Sequence, residues 1–195
     1  MRVEQFKVGE DRNFSYLVIS DDEAVVIDPF ENIEIYEEKA KELEAQIIGV
    51  LNTHTHSDHA AGNKPFREKG IKRFTGDITL GEETIKEIET PGHTNDSVCY
   101  YADKKLFTGD TLFVGKIGHA RDEEQARKQY ESLHQLIEKL PEETTVYPGH
   151  DFATMPTSTL KEEKENNPFL LQESFKDFWN LKNHWKEYKQ EHNIQ

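Results

Sequence analysis

A strand of buried type, Ile47-Ile48-Gly49-Val50-Leu51, runs directly into Asn52-Thr53-His54-Thr55-His56-Ser57-Asp58-His59. Few local patterns narrow the choice of fold as far. Side chains in extended backbone alternate with period two, so His54 and His56 point to one side. Asp58 and His59 come where the chain should be turning, and can face a second point in space. Four ligand-type residues within six positions, all nitrogen or oxygen donors, suit a metal site. A lone histidine is mostly structural; an H-x-H-x-D-H cluster reverses those odds.

Three other segments extend the set. Thr90-Pro91-Gly92-His93-Thr94 places a histidine behind a Pro-Gly turn, and Tyr147-Pro148-Gly149-His150-Asp151 repeats that arrangement. Phe107-Thr108-Gly109-Asp110-Thr111 sets an aspartate just beyond a short apolar strand. Each is weak alone, since a Gly-Asp dipeptide is usually only a turn. Together the four segments supply seven candidate ligands, five histidines with Asp58 and Asp110. Three ligands apiece plus one shared carboxylate is what a two-metal hydrolytic centre requires.

Around these segments the pattern is mixed α/β. Strands are expected at Val3–Val8, Phe14–Ser20, Ala24–Asp28, Ile71–Thr75, Thr84–Glu89, Ser97–Tyr101, Leu106–Thr108 and Thr144–Tyr147. Ile33, Tyr36, Ala40 and Leu43 form one apolar helical stripe; Ala126, Tyr130, Leu133, Ile137 and Leu140 form another, closed by Pro141. The C-terminal segment sets Phe175, Phe178, Trp179, Leu181, Trp185 and Tyr188 among polar residues. It reads as an aromatic helix used for packing, with a homodimer surface as the sharper alternative.

Length and charge remove several functions. At 195 residues the chain makes one domain. A net charge of −14 repels phosphate backbones and anionic lipids, so neither nucleic acid nor membrane is an expected partner. The longest wholly apolar run, Ala24 to Ile27, cannot span a bilayer, and Met1-Arg2-Val3-Glu4-Gln5 begins no export signal. The single Cys99 suits a reducing cytoplasm, and its strand context makes it a small core residue.

From about Phe14 to Asn167 the chain resembles metallo-β-lactamase-fold hydrolases of the branch holding glyoxalase II (hydroxyacylglutathione hydrolase) and persulfide dioxygenase. All seven ligand positions of that branch are matched in order, as is the tail Ser158-Thr159-Leu160 and Asn166-Asn167-Pro168-Phe169-Leu170. The resemblance implies a four-layer αββα sandwich with the metals at one edge of its two sheets. Residues 1–170 would form the catalytic domain, and 171–195 an aromatic-rich helical extension of it. His54, His56 and His93 would hold the first metal and Asp58, His59 and His150 the second, with Asp110 bridging. A cysteine is common at the position of Asp110 in true β-lactamases. Two divalent ions, zinc, iron or manganese, would lower the pKa of water from 15.7 to about 7. The resulting hydroxide would attack a thioester carbonyl in a small-molecule substrate, with Asp58 orienting the water.

The chain departs from that pattern in ways that bear on the thiol portion of the substrate. Glyoxalase II usually adds an all-helical glutathione-binding domain, for which the 45 residues after His150 are too few. His119 stands where Lys or Arg is usual, with Lys116 or Arg121 as compensation, and Phe152 replaces a common Tyr. These four are the expected substrate-binding residues. The alternative chemistry implied by the resemblance is a persulfide dioxygenase using one iron on His54, His93 and Asp110. A lactonase and a non-catalytic metal-binding protein are further readings. His134, His184 and His192 read as surface or packing residues.

Overall fold

The computed structural model describes residues 1–192 and 194. One sheet holds β1 (Arg2–Val8), β2 (Asn13–Ser20), β3 (Glu23–Ile27), β4 (Gln46–Leu51) and β5 (Lys72–Arg73), in that order. The other holds β6 (Ile78–Leu80), β7 (Glu83–Glu89), β8 (Val98–Ala102), β9 (Lys105–Gly109), β10 (Thr145–Pro148) and β11 (Ser158–Thr159), also in sequence order. The helices are α1 (Glu34–Glu42), α2 (Ser57–Ala60), α3 (Asn63–Glu68), α4 (Glu123–Lys139), α5 (Leu160–Asn166), α6 (Phe175–Asn183) and α7 (Trp185–Glu191).

Alternation along the strands makes four layers. In β2, Phe14, Tyr16 and Val18 point between the sheets, where they meet Leu80, Ile85, Tyr100 and Phe107 of the second sheet. Leu17 and Ile19 point the other way, into a cluster with Ile33, Tyr36, Ala40 and Phe66. Every residue of β2 is therefore buried. On the outer face of the second sheet, Cys99, Leu106 and Val146 pack with Ala126, Leu133 and Leu136 of α4, Leu160 of α5, and Phe178 and Leu181 of α6. Burying each large apolar side chain contributes about 1.5–3 kcal/mol.

Several expectations need correction. β4 stops at Leu51, so His54 and His56 are not in extended strand; the chain bends at Thr53 and His54, and His56 becomes the N-cap of α2. The single aromatic helix is two, broken at His184 (φ −114°, ψ 23°). Ile71–Thr75 contributes only the two-residue β5, and β6, with exposed Thr79 at its middle, was too short to show periodicity. Of the 171–195 extension, residues 193 and 195 lie outside the described residues. Among the described residues no helix is long and apolar enough to cross a membrane.

Topology places the chemistry. β3 pairs parallel with β4, and β9 with β10, so the C-terminal ends of each pair emerge side by side. Asp28 and His54 follow one pair; Asp110 and His150 follow the other. The sheets are joined at this edge by Val98 N–H to the Thr53 carbonyl (2.8 Å) and Phe14 N–H to the Gly149 carbonyl (2.8 Å).

Candidate metal centre

Asp28, at positive φ (52°) just beyond β3, is the anchor of the first cluster. Its carboxylate accepts from the Thr53 backbone N–H (2.7 Å), the Thr53 hydroxyl (2.6 Å) and His59 Nδ1 (2.9 Å). With its hydroxyl proton committed to Asp28, Thr53 accepts from His54 Nδ1 at 3.2 Å. His93 Nδ1 donates to the His119 carbonyl (2.8 Å), and His150 Nδ1 to the Asp11 carbonyl (3.0 Å). These partners place the Nδ1 proton on His54, His59, His93 and His150, so that each Nε2 offers a lone pair when its ring is neutral.

Those lone pairs converge. His54 Nε2 is 3.0 Å from His56 Nδ1, which is 3.1 Å from His93 Nε2. His59 Nε2 and His150 Nε2 are 3.3 Å apart, and Asp58 Oδ2 lies 3.4 and 3.5 Å from them. Asn13 Nδ2 holds that Asp58 oxygen at 2.8 Å. The donor atoms of His54, His56 and His93, and separately of Asp58, His59 and His150, fall within 4.8 Å of one another.

Asp110 reaches both groups. Its Oδ1 is 3.3 Å from His59 Nε2 and 3.4 Å from His150 Nε2, while Oδ2 is 3.4 Å from His93 Nε2. Two tight approaches require glycines here. A Cβ on Gly109 (φ +48°) would sit 2.2 Å from Thr53 Oγ1, and one on Gly149 would sit 2.5 Å from Asp110 Oδ1.

The residues fit bound cations. Among the described residues Asp110 Oδ1 is buried without a hydrogen-bond partner, and the facing imidazole nitrogens cannot all be satisfied by one another's protons. Burial alone would raise the Asp110 pKa, yet His150 and His59 hold it well below the carboxylate range. Burial and the charge of His59 pull His54 down to about 4. His59 itself is drawn up to about 11, because Asp28 and Asp110 overcome its burial. A proton on His59 thus balances the carboxylates when no cation does.

The expected substrate residues divide between two clefts. Phe152 stacks on His150 (centroids 4.7 Å apart, 3° between planes), and Lys116 Nζ donates to the Phe152 carbonyl at 2.9 Å. Both line a cavity of about 490 Å³ together with Arg12, whose guanidinium is 5.3 Å from the Phe152 ring centre. His119 and Arg121 line a separate cavity of about 310 Å³ with His56, His93, Asn95 and Gln125. His119 meets the centre through its carbonyl, and Arg121 is exposed beside Asp122.

Sequence reasoning passed over Asp28, Asn13 and Arg12. Only Asp28 carried a local signal, as the acidic end of the apolar run Ala24–Ile27. Arg12 ends the β1–β2 turn and Asn13 opens β2, and the approach of Asn13 to His150 is a long-range contact.

Comparison with known proteins identifies the family and the fold. The metallo-beta-lactamase superfamily matches residues 8–73 and 69–150. A hydroxyacylglutathione hydrolase of Dictyostelium discoideum is 34% identical over 197 residues, covering 85% of this chain and 73% of its own. A probable hydroxyacylglutathione hydrolase of Schizosaccharomyces pombe is 31% identical over 170 residues; 74% of this chain is covered, and the chain spans 66% of that relative's length. Among solved structures, ETHE1 from Myxococcus xanthus superposes with a TM-score of 0.85 at 28% identity, covering 95% of this chain and 91% of that one.

Proposed function

The chain belongs to the metallo-beta-lactamase superfamily, and from that membership we propose that it is a thioester hydrolase of the hydroxyacylglutathione hydrolase type. The observation that carries this reading is Asp110, one carboxylate within 3.4 Å of imidazole nitrogens from both ligand groups. His54, His56 and His93 would hold one divalent ion and Asp58, His59 and His150 a second, with Asp110 shared. Imidazole and carboxylate donors suit zinc, iron or manganese. When bound, two such ions supply Lewis acidity and bring the pKa of water to about 7.

The chain's own groups do the rest. Asp58, fixed by Asn13, orients the attacking water at Oδ2. Burial pushes the Asp58 carboxyl up, but in the metal-free protein the Asn13 hydrogen bond and the charge of His59 outweigh it and hold its pKa below the usual carboxylate value; the Asn13 bond persists when His59 is neutral. A leaving thiol has a pKa near 8.5, so no strong general acid is needed. Lys116 and Phe152 on one side, and His119 and Arg121 on the other, are the proposed substrate contacts. Residues 171–195 act as part of the same domain as 1–170, and the working compartment is the cytoplasm.

Elemental analysis of protein purified without added metal, paired with assays on S-lactoylglutathione and glutathione persulfide, tests the proposal. Two ions with thioester cleavage are expected. A single iron with sulfite formation would replace it by the dioxygenase reading on His54, His93 and Asp110. That reading draws on the approach of His93 Nε2 to Asp110 Oδ2 at 3.4 Å. Two ions with neither activity would move the substrate to a lactone or another ester.

A further inference from the structure

Residues 115–119 lie outside the helices and strands, and side chains from three helices pin their backbone. Glu163 accepts from the Gly115 N–H (3.0 and 3.2 Å), and Asn167 Nδ2, from the C-cap of α5, donates to the Lys116 carbonyl (3.1 Å). Two donors share the Gly118 carbonyl: Gln129 Nε2 of α4 at 3.1 Å and Lys182 Nζ of α6 at 3.0 Å. Lys182 Nζ also donates to Gln129 Oε1 at 2.8 Å, so the two side chains brace each other. The next carbonyl along the chain, that of His119, accepts from His93 Nδ1 at 2.8 Å.

The peptide has little room to move. A Cβ on Gly118 would lie 1.9 Å from the Asp110 carbonyl oxygen and 3.1 Å from His93 Nδ1. The Gly118–His119 unit is therefore wedged between two members of the ligand set, and its position is set from behind by an amine and an amide. We propose that Lys182 is a positioning residue for the metal centre. By holding the Gly118 carbonyl, it places the His119 carbonyl that orients the His93 imidazole toward His54 and His56. The inference rests on the metal-binding reading given above.

A lysine is a costly choice for packing alone. Lys182 sits in an apolar layer, its Nζ 5.7 Å from the ring centres of both Phe169 and Phe178. Burial there pulls its pKa down to about 7. A leucine or methionine would fill that space without desolvating an amine. What such a side chain could not supply is a donor to two acceptors that lead directly to His93.

The test is Lys182→Met, which keeps the side-chain length and the contact with the two phenylalanines. The first readout is zinc affinity by chelator competition, with the thermal midpoint of the metal-free protein alongside it. The second is the nitrogen-15 and proton shift of the His93 Nδ1–H in histidine-labelled protein, recorded with and without zinc. The expected result is a metal-free midpoint close to wild type, relief of the buried amine offsetting the donor lost by Gln129 Oε1. Affinity for one of the two ions falls about 10–100-fold, and the His93 signal shifts while that of His150 does not. Unchanged affinity with an unchanged His93 signal overturns the proposal. If wild type takes up no zinc, the metal reading fails, while the His93 signal in metal-free protein still decides whether Lys182 positions that ring. Should Lys182→Met not fold, Gln129→Met removes the companion donor and the brace, and the same readouts apply.

Discussion

Asp28 shows how much of the centre depends on one side chain outside the ligand set. One oxygen accepts the Thr53 N–H, and the other accepts both the Thr53 hydroxyl and His59 Nδ1. Asp28→Asn puts an amide donor where two donors already point. We expect a loss of about 1–3 kcal/mol in urea denaturation and about 10–100-fold in zinc affinity. His59 gives a prediction with a sign. Its pKa near 11 means the metal-free site is protonated at neutral pH, whereas a ligating imidazole is not. Loading must therefore expel that proton, and affinity rises by about tenfold per pH unit per proton released. Titration calorimetry in buffers of different ionisation enthalpy should show proton release between about pH 6 and 8; no buffer dependence would refute the assignment. Cys99 is the opposite case. It is fully buried, and burial raises its thiol to about 12, so a maleimide should fail to label the native protein and label it at once in denaturant.

At the level of elements, the 115–119 segment behaves as part of the helices behind it. Glu163 is its foundation, accepting also from Ser158 Oγ (2.7 Å) and Asn167 Nδ2 (2.8 Å). Glu163→Met leaves those donors buried without an acceptor and should cost about 1–3 kcal/mol for each one orphaned. Glu163→Gln can satisfy them, with its amide toward the Ser158 hydroxyl, and should be near neutral. Burial raises the Glu163 pKa above its usual value despite those bonds. The folded state then holds a proton that the unfolded state has released, so wild-type stability falls as pH rises from about 4.5 through the folded pKa; Glu163→Gln should flatten that part of the profile. Most elements here were legible in sequence because their apolar residues repeat at helix or strand spacing, as in α4 and β2. The H-x-H-x-D-H cluster was legible because its members are neighbours. The bend at Thr53 and His54 was not, since the bonds that hold it run from Thr53 to Asp28, 25 residues earlier. The break at His184 and the bond from Lys182 to Gly118, 64 residues apart, leave no periodic trace at all.

For the molecule as a whole, α6 is structural to the second sheet's outer layer. Phe178 is fully buried there beside Leu133, Phe169 and Leu181. Phe178→Ala should cost about 3–5 kcal/mol, a loss that urea denaturation would measure directly; a change below 1 kcal/mol would mean α6 is docked only loosely. The net charge of −14 is the excess of acidic over basic side chains; surface pairs such as Lys69–Glu37 and Lys164–Glu142 leave it unchanged and contribute little individually. The seam between the sheets has a temporal meaning as well. His150 is held by the carbonyl of Asp11, and Asp151 by Lys7, so the first hairpin cannot finish its contacts until a strand some 139 residues later has paired. Contacts of such separation close late on a folding route. Zinc would then recognise little but the finished protein, slowing the unfolding arm of a chevron while leaving the refolding arm where it was. A metal acting in that way is a lock turned after assembly, not a template for it.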